Sequence, residues 1–280
     1  MRRKLVVGNW KMHGNINSNE VLLESLIDGL KQHENADYAV CVPNPYLHQA
    51  RSLLENTNIT WGGQNVNQHE HGAFTGAVSA HMLTDFGCSY VILGHSERRV
   101  LFHETNLTAA ARFDASIKAG MTPILCVGET LAEHEAGLTE VIVASQMDAV
   151  MATLGEQDFA KAMQLNMVFA YEPVWAVGTG RTASPDQAQS VHAFIRNRIA
   201  RRDADAAAQV RIIYGGSVKA QNAKELFAKP DVDGGLVGGA SLDADEFISI
   251  CNTANLALQP QLFRRASIEK ISLTNTSACV

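Results

Sequence analysis

No uninterrupted apolar run in the 280-residue sequence is long enough to span a membrane, which excludes a helical membrane anchor of the usual kind. The basic start, MRRK, is followed by only three apolar residues, Leu5, Val6 and Val7, too few for a secretory signal. Positive charge is not in excess. The net charge of −6 argues against nucleic acid or an anionic membrane as the main partner, while leaving room for a local positive pocket. The five cysteines (Cys41, Cys88, Cys126, Cys251, Cys279) are odd in number and never form a C-x-x-C pair. They are expected to be reduced packing thiols of a cytoplasmic protein. No H-E-x-x-H occurs: His69 and His71 in HEHG read as surface loop, and no metal site is expected.

What is present is a rhythm. Short β-branched runs begin at Lys4 (KLVVG), Tyr38 (YAVCV), Asn58 (NITWGG), Tyr90 (YVILG), Thr122 (TPILCV), Met167 (MVFAY), Val210 (VRIIY) and Gly234 (GGLVG). Amphipathic stretches such as NEVLLESLIDGLKQ, ETNLTAAARFDASIKAG and SPDQAQSVHAFIRNRIARR lie between them. Strands this apolar are buried on both faces, as in parallel sheets covered by helices. Eight such units predict an α/β fold of the (β/α)8 barrel type, a single domain over residues 1–256. An open doubly wound sheet would carry G-x-G-x-x-G after the first strand, and GNWKMHG is not that turn.

Polar residues gather just beyond the strands: Asn9, Lys11, Gln64, Asn65, His95, Glu129, Glu172, Ser217 and the pair Gly238–Gly239. In a parallel barrel all strand ends open on one face, where barrel enzymes carry out their chemistry. His95 precedes a helix start at Ser96–Glu97, and the positive end of the helix dipole disfavours an imidazolium there. Taken alone it reads as a structural cap; its place on the catalytic face points to a neutral hydrogen-bond donor. Lys11 is either a rim charge or a fixed cation for an anionic substrate, and Asn9 is placed to orient it. The glycine pairs of YGGSV and VGGAS follow strands seven and eight, where backbone N–H groups can cradle a phosphate.

Glu172 ends an apolar strand and is followed by PVWAVGTGRTA. Burial at the mouth would raise its pKa and make it a stronger base. PVW and RTA read as two hinges of a loop whose glycine-rich tip reaches a phosphate. Base, neutral imidazole, cation and lid together point to proton abstraction next to a carbonyl.

The motifs GNWKM, GGQNV, GAFTG, GHSERR, ILCVGET, AYEPVWAVGTGRTA, YGGSV and DGGLVGGASL occur in this order over about residues 4–256. In this the sequence resembles the triosephosphate isomerase family. The resemblance implies interconversion of dihydroxyacetone phosphate and D-glyceraldehyde 3-phosphate through an enediolate, without metal or organic cofactor. It implies Glu172 as base, His95 as electrophile, and Lys11, held by Asn9, as stabiliser of the enediolate. Gly178, Ser217, Gly238 and Gly239 would hold the phosphate. Tyr214 and Ser217 would latch the lid, and Glu97 and Glu129 would support the charged network.

A homodimer is also implied, with Thr75, in the long 65–79 loop, reaching the partner's active site. Two positions depart from the family pattern. Ala77 stands where a glutamate is common, which removes a partner for Arg98 across the interface, and Arg181 replaces a lysine in the second lid hinge. Residues 257–280 lie outside the barrel repeat and read as a flexible appended tail. Two other readings compete with this one. An aldolase-like barrel needs a Schiff-base lysine on an inner strand, whereas Lys11 follows the first strand. A non-catalytic barrel would be expected to have lost Lys11, His95 or Glu172.

Overall fold

The computed structural model describes residues 2–176 and 182–257. Every run singled out in the sequence forms a strand, and each strand leads into at least one helix. In chain order the elements begin β1 (Lys4–Asn9), α1 (Ile16–Leu30), β2 (Ala36–Cys41), α2 (Leu47–Leu54), β3 (Ile59–Gly63) and α3 (Ala80–Asp85). Next are β4 (Tyr90–Leu93), α4 (Ser96–Leu101), α5 (Asn106–Lys118), β5 (Thr122–Val127), α6 (Leu131–Glu135), α7 (Thr139–Thr153) and α8 (Glu156–Gln164). The remainder are β6 (Val168–Tyr171), α9 (Pro185–Ala200), α10 (Ala204–Gln209), β7 (Arg211–Tyr214), α11 (Ala220–Phe227), β8 (Gly234–Val237) and α12 (Ala244–Leu256). Short 3₁₀ turns at Asn44–Tyr46, Val174–Ala176 and Gly239–Leu242 fill three of the loops.

The eight strands pair in sequence order and close, β1 with β8, into an all-parallel barrel. The expected fold is the one found. Side-chain alternation divides each strand between two cores. Leu5, Val7, Ala39, Cys41, Ile92, Ile124, Cys126, Val168, Ala170, Ile213 and Leu236 belong to the cluster that fills the barrel. Their neighbours Val6, Val40, Val91, Leu125, Phe169 and Ile212 pack outward against the helices. Burial of each such side chain stabilises the fold by roughly 1.5–3 kcal/mol.

Helix starts follow the capping chemistry of the sequence. Asn15, Thr130 and Ser184 each close a capping box, and Pro185 follows Ser184 in the first turn of α9. On α9 the positions Ala188, His192, Ile195 and Ile199 recur at helical spacing and are buried, which seats the helix on the barrel. Among the described cysteines, Cys41, Cys88, Cys126 and Cys251 are buried and unpaired, as expected, and Cys279 lies outside the described residues.

Candidate active site

Lys11 follows β1 in a left-handed conformation, φ 53°, which a lysine adopts only when the surroundings enforce it. Two contacts do so. The Lys11 N–H donates to Asn9 Oδ1 at 3.1 Å, and Gln64 Nε2 donates to the Lys11 carbonyl at 2.9 Å. The ammonium group then reaches Glu97 Oε1, 2.5 Å away.

His95 caps α4. Its Nδ1 accepts the Glu97 N–H at 3.2 Å, so the ring proton sits on Nε2. Nε2 lies 3.0 Å from Glu172 Oε1, and both residues are almost wholly buried. Burial opposes an imidazolium, while the Glu172 carboxylate favours one and raises the ring above its ordinary pKa. The hydrogen bond that Nδ1 accepts from the Glu97 N–H works the other way, because a second ring proton would break it.

Glu172 corrects the expectation of a raised pKa. Burial alone would raise it, but His95, the Ser96 N–H and the Cys126 thiol outweigh burial and hold the carboxyl below its ordinary range. Oε2 accepts the Ser96 N–H at 3.0 Å, which ties the acid to the first turn of α4. Oε1 receives no hydrogen bond of good geometry despite its burial. The carboxylate is thus favoured in its charged form, with Oε1 facing His95 Nε2 rather than a backbone donor. Gly128 and Gly215 make this position possible, since a Cβ on either would collide with Glu172.

The two glycine loops complete the surround. Gly239 begins the 3₁₀ turn after β8, with Gly238 preceding it, and Ser217 follows β7. One cavity of about 200 Å³ is lined by Asn9, Lys11, His95, Glu172, Ser217, Gly238 and Gly239, together with Gly215, Gly216 and Lys219. A cation, an imidazole, a carboxylate and two glycine-rich turns therefore face one space.

The description "Triosephosphate isomerase" belongs to the family model that matches residues 4–254. The chain belongs to the triosephosphate isomerase family.

Its relatives agree. It is 57% identical over 253 residues to the triosephosphate isomerase of Nitrosomonas eutropha, covering 90% of this chain and 98% of that protein. It is 58% identical over 254 residues to that of Thiobacillus denitrificans, covering 91% and 99%. The crystal structure of the triosephosphate isomerase of Bartonella henselae superposes with a TM-score of 0.81 at 37% identity, covering 90% of this chain and 98% of that one.

The remaining described residues expected from this family lie outside the cavity lining. Glu97 binds Lys11 and stands behind the cation. Glu129 does not join that network. It is fully buried and accepts from Tyr171 Oη at 3.2 Å and from Trp175 Nε1 at 2.9 Å, so it anchors the segment that follows Glu172. Tyr214 Oη accepts the Ala183 N–H at 3.2 Å. Arg98 is bound within its own chain, Nε lying 2.5 Å from Glu104 Oε1, and it lines a neighbouring groove with Ala77. Thr75 is exposed on its loop. Gly178, Arg181 and the tip of the expected lid lie outside the described residues.

Sequence reasoning missed Ser96, whose backbone N–H holds the acid, and treated Cys126 as packing alone. It also did not single out the Trp175 indole. No local pattern distinguishes these residues, although the alternation of β5 places Cys126 inside the barrel.

Proposed function

We propose that the chain interconverts dihydroxyacetone phosphate and D-glyceraldehyde 3-phosphate with Glu172 as the proton-transferring base. The observation that carries this reading is the under-bonded Glu172 Oε1 beside His95 Nε2, in one cavity with Lys11 and the Gly238–Gly239 turn. An aldose-ketose isomerisation needs one proton moved between adjacent carbons, a second moved between the oxygens they carry, and a developing oxyanion stabilised. An ionised carboxylate removes the proton from the carbon next to the carbonyl. The His95 Nε2–H donates to the carbonyl oxygen, and Lys11, oriented through Asn9, offsets the negative charge of the enediolate. The same acid then returns the proton to the neighbouring carbon.

Backbone N–H groups at Ser217, Gly238 and Gly239, with Gly178, hold the phosphate. Glu97 fixes the cation, and Tyr214 with Ser217 fixes the closed loop. Before it can act, Glu172 must release the Ser96 N–H, so binding of the substrate is coupled to movement of the base. Residues 1–256 form the catalytic unit, and residues 257–280 are an addition to it.

The working form is a homodimer in the cytoplasm. Its supports are a groove of about 700 Å³ beside the cavity, lined by residues that include Lys11, Gln64, Ala77, Arg98 and Phe102. Met12, Leu101 and Phe102 are 93%, 67% and 64% exposed, apolar surface that a partner inserting its Thr75 loop would cover. Among the described residues no helix is long and apolar enough to cross a membrane.

The test is a coupled assay of dihydroxyacetone phosphate formation from glyceraldehyde 3-phosphate with a chelator present. Turnover that persists in chelator is expected. Its absence from folded protein would overturn the reading.

A further inference from the structure

The loop after β5 holds a second arrangement that the proposed reaction does not use. Glu129, fully buried, has His134 as a neighbour from α6, with Nδ1 3.2 Å from Oε1. The same oxygen accepts the Trp175 indole N–H at 2.9 Å. The His134 ring also packs against the Trp175 ring, 4.8 Å between centroids and tilted by 31°. Thr139 Oγ1, from α7, lies 3.3 Å from the same His134 Nδ1.

The Glu129 backbone continues the chain of contacts. Its carbonyl accepts the Val174 N–H at 3.0 Å, two residues after Glu172. Glu129 therefore grips the segment that carries the acid at two points, by its carbonyl and by its carboxylate. A buried carboxylate keeps its place only while donors satisfy it. Among the described residues His134 is the sole cation-forming group in contact with Glu129. It is also about one-third exposed, so it connects this buried acid to solvent.

We infer that His134 is a positioning residue for the isomerisation: through Glu129 it clamps Val174 and Trp175, and so sets where Glu172 rests and how readily it leaves the Ser96 N–H. The inference rests on the reading of Glu172 as the base. Among the described residues the polar and ring contacts of His134 go to Glu129, Thr139 and Trp175, and the role assigned to it runs through Glu129 and Trp175. A contact of this kind governs placement of the acid rather than binding of the phosphate, so its loss falls on kcat more than on KM.

Two variants separate this role from simple packing. His134→Ala removes both the Nδ1 contact and the ring, whereas His134→Asn keeps a polar group near the position of Nδ1. Loss of the clamp in His134→Ala is expected to lower kcat roughly 10-fold, short of the 100-fold that a 1 Å misplacement can cost. KM is expected to stay within about twofold, and His134→Asn to recover kcat to within about threefold of the parent enzyme. Trp175 emission, isolated by difference against Trp175→Phe, is expected to shift in His134→Ala and return in His134→Asn.

An unchanged kcat in His134→Ala overturns the inference. So does a lowered kcat with unmoved Trp175 emission that His134→Asn fails to recover, which would make the residue merely structural. Glu172→Asp, assayed alongside, distinguishes the two levels. Undiminished turnover there overturns the base itself, while diminished turnover there with an unaffected His134→Ala overturns only the clamp.

Discussion

The Glu172 carboxylate accepts the backbone N–H of Ser96 at 3.0 Å, across 76 positions of sequence. With His95 on the other oxygen, this bond helps hold the carboxyl below its ordinary range, and it ties the acid to the N-terminus of α4. Shortening or repositioning this acid is therefore the most direct test of the site.

Glu172→Asp retracts the carboxylate by about one methylene and is expected to lower turnover on the order of 100-fold. Stability should stay near that of the parent. Steady-state kinetics with thermal unfolding checks both, and unchanged turnover would remove Glu172 from the base role.

His95→Gln keeps a side-chain N–H but loses the imidazole that caps α4 through Nδ1. The rate is expected to fall while a phosphate-bearing inhibitor still binds. Inhibitor affinity lost in the same proportion as the rate would count against the electrophile role.

His192 provides a stability prediction. Its ring is fully buried behind the strands, and burial lowers its pKa to about 4. In the unfolded chain the ordinary value near 6.5 applies, so between these values the unfolded state binds the extra proton. Stability should therefore fall as pH drops from about 6.5 to about 4, by roughly 3 kcal/mol from this group alone at the lower end. Denaturant unfolding across that range, compared with His192→Gln, checks it; an equal slope in both proteins would remove His192 as the source.

Ala77→Glu restores the carboxylate common at this position in the family. Arg98 already has Glu104 within its own chain, so the added interfacial pair is expected to contribute no more than about 1 kcal/mol, about fivefold in dimer dissociation constant. Sedimentation velocity at several concentrations and salt levels measures the change. A monomeric parent protein would overturn the proposed assembly.

Deletion of residues 258–280 is expected to leave turnover and thermal stability unchanged. Loss of both would make this segment part of the folded unit.

Much of this molecule was legible in its order of residues. Each β-branched run specifies a strand through neighbours two apart, and each cap specifies a helix start within four residues. For that reason KLVVG, TPILCV and SPDQAQ read correctly one by one, and eight alternating units required a closed parallel sheet. The polar residues at the strand ends followed from topology alone, which brought Asn9, Lys11, His95, Glu172, Ser217 and the Gly238–Gly239 pair to one mouth.

Tertiary structure decided what those residues experience. That Glu172 is held below its ordinary pKa, that Glu129 anchors Trp175 instead of joining the Lys11 network, and that Arg98 turns to Glu104 depend on contacts between distant segments. So does the left-handed backbone of Lys11, held in part by Gln64 from the loop after β3. Period and capping are properties of adjacent residues and are written in the chain. Hydrogen-bond partners and desolvation exist only once the barrel has closed and fixed the register between strands.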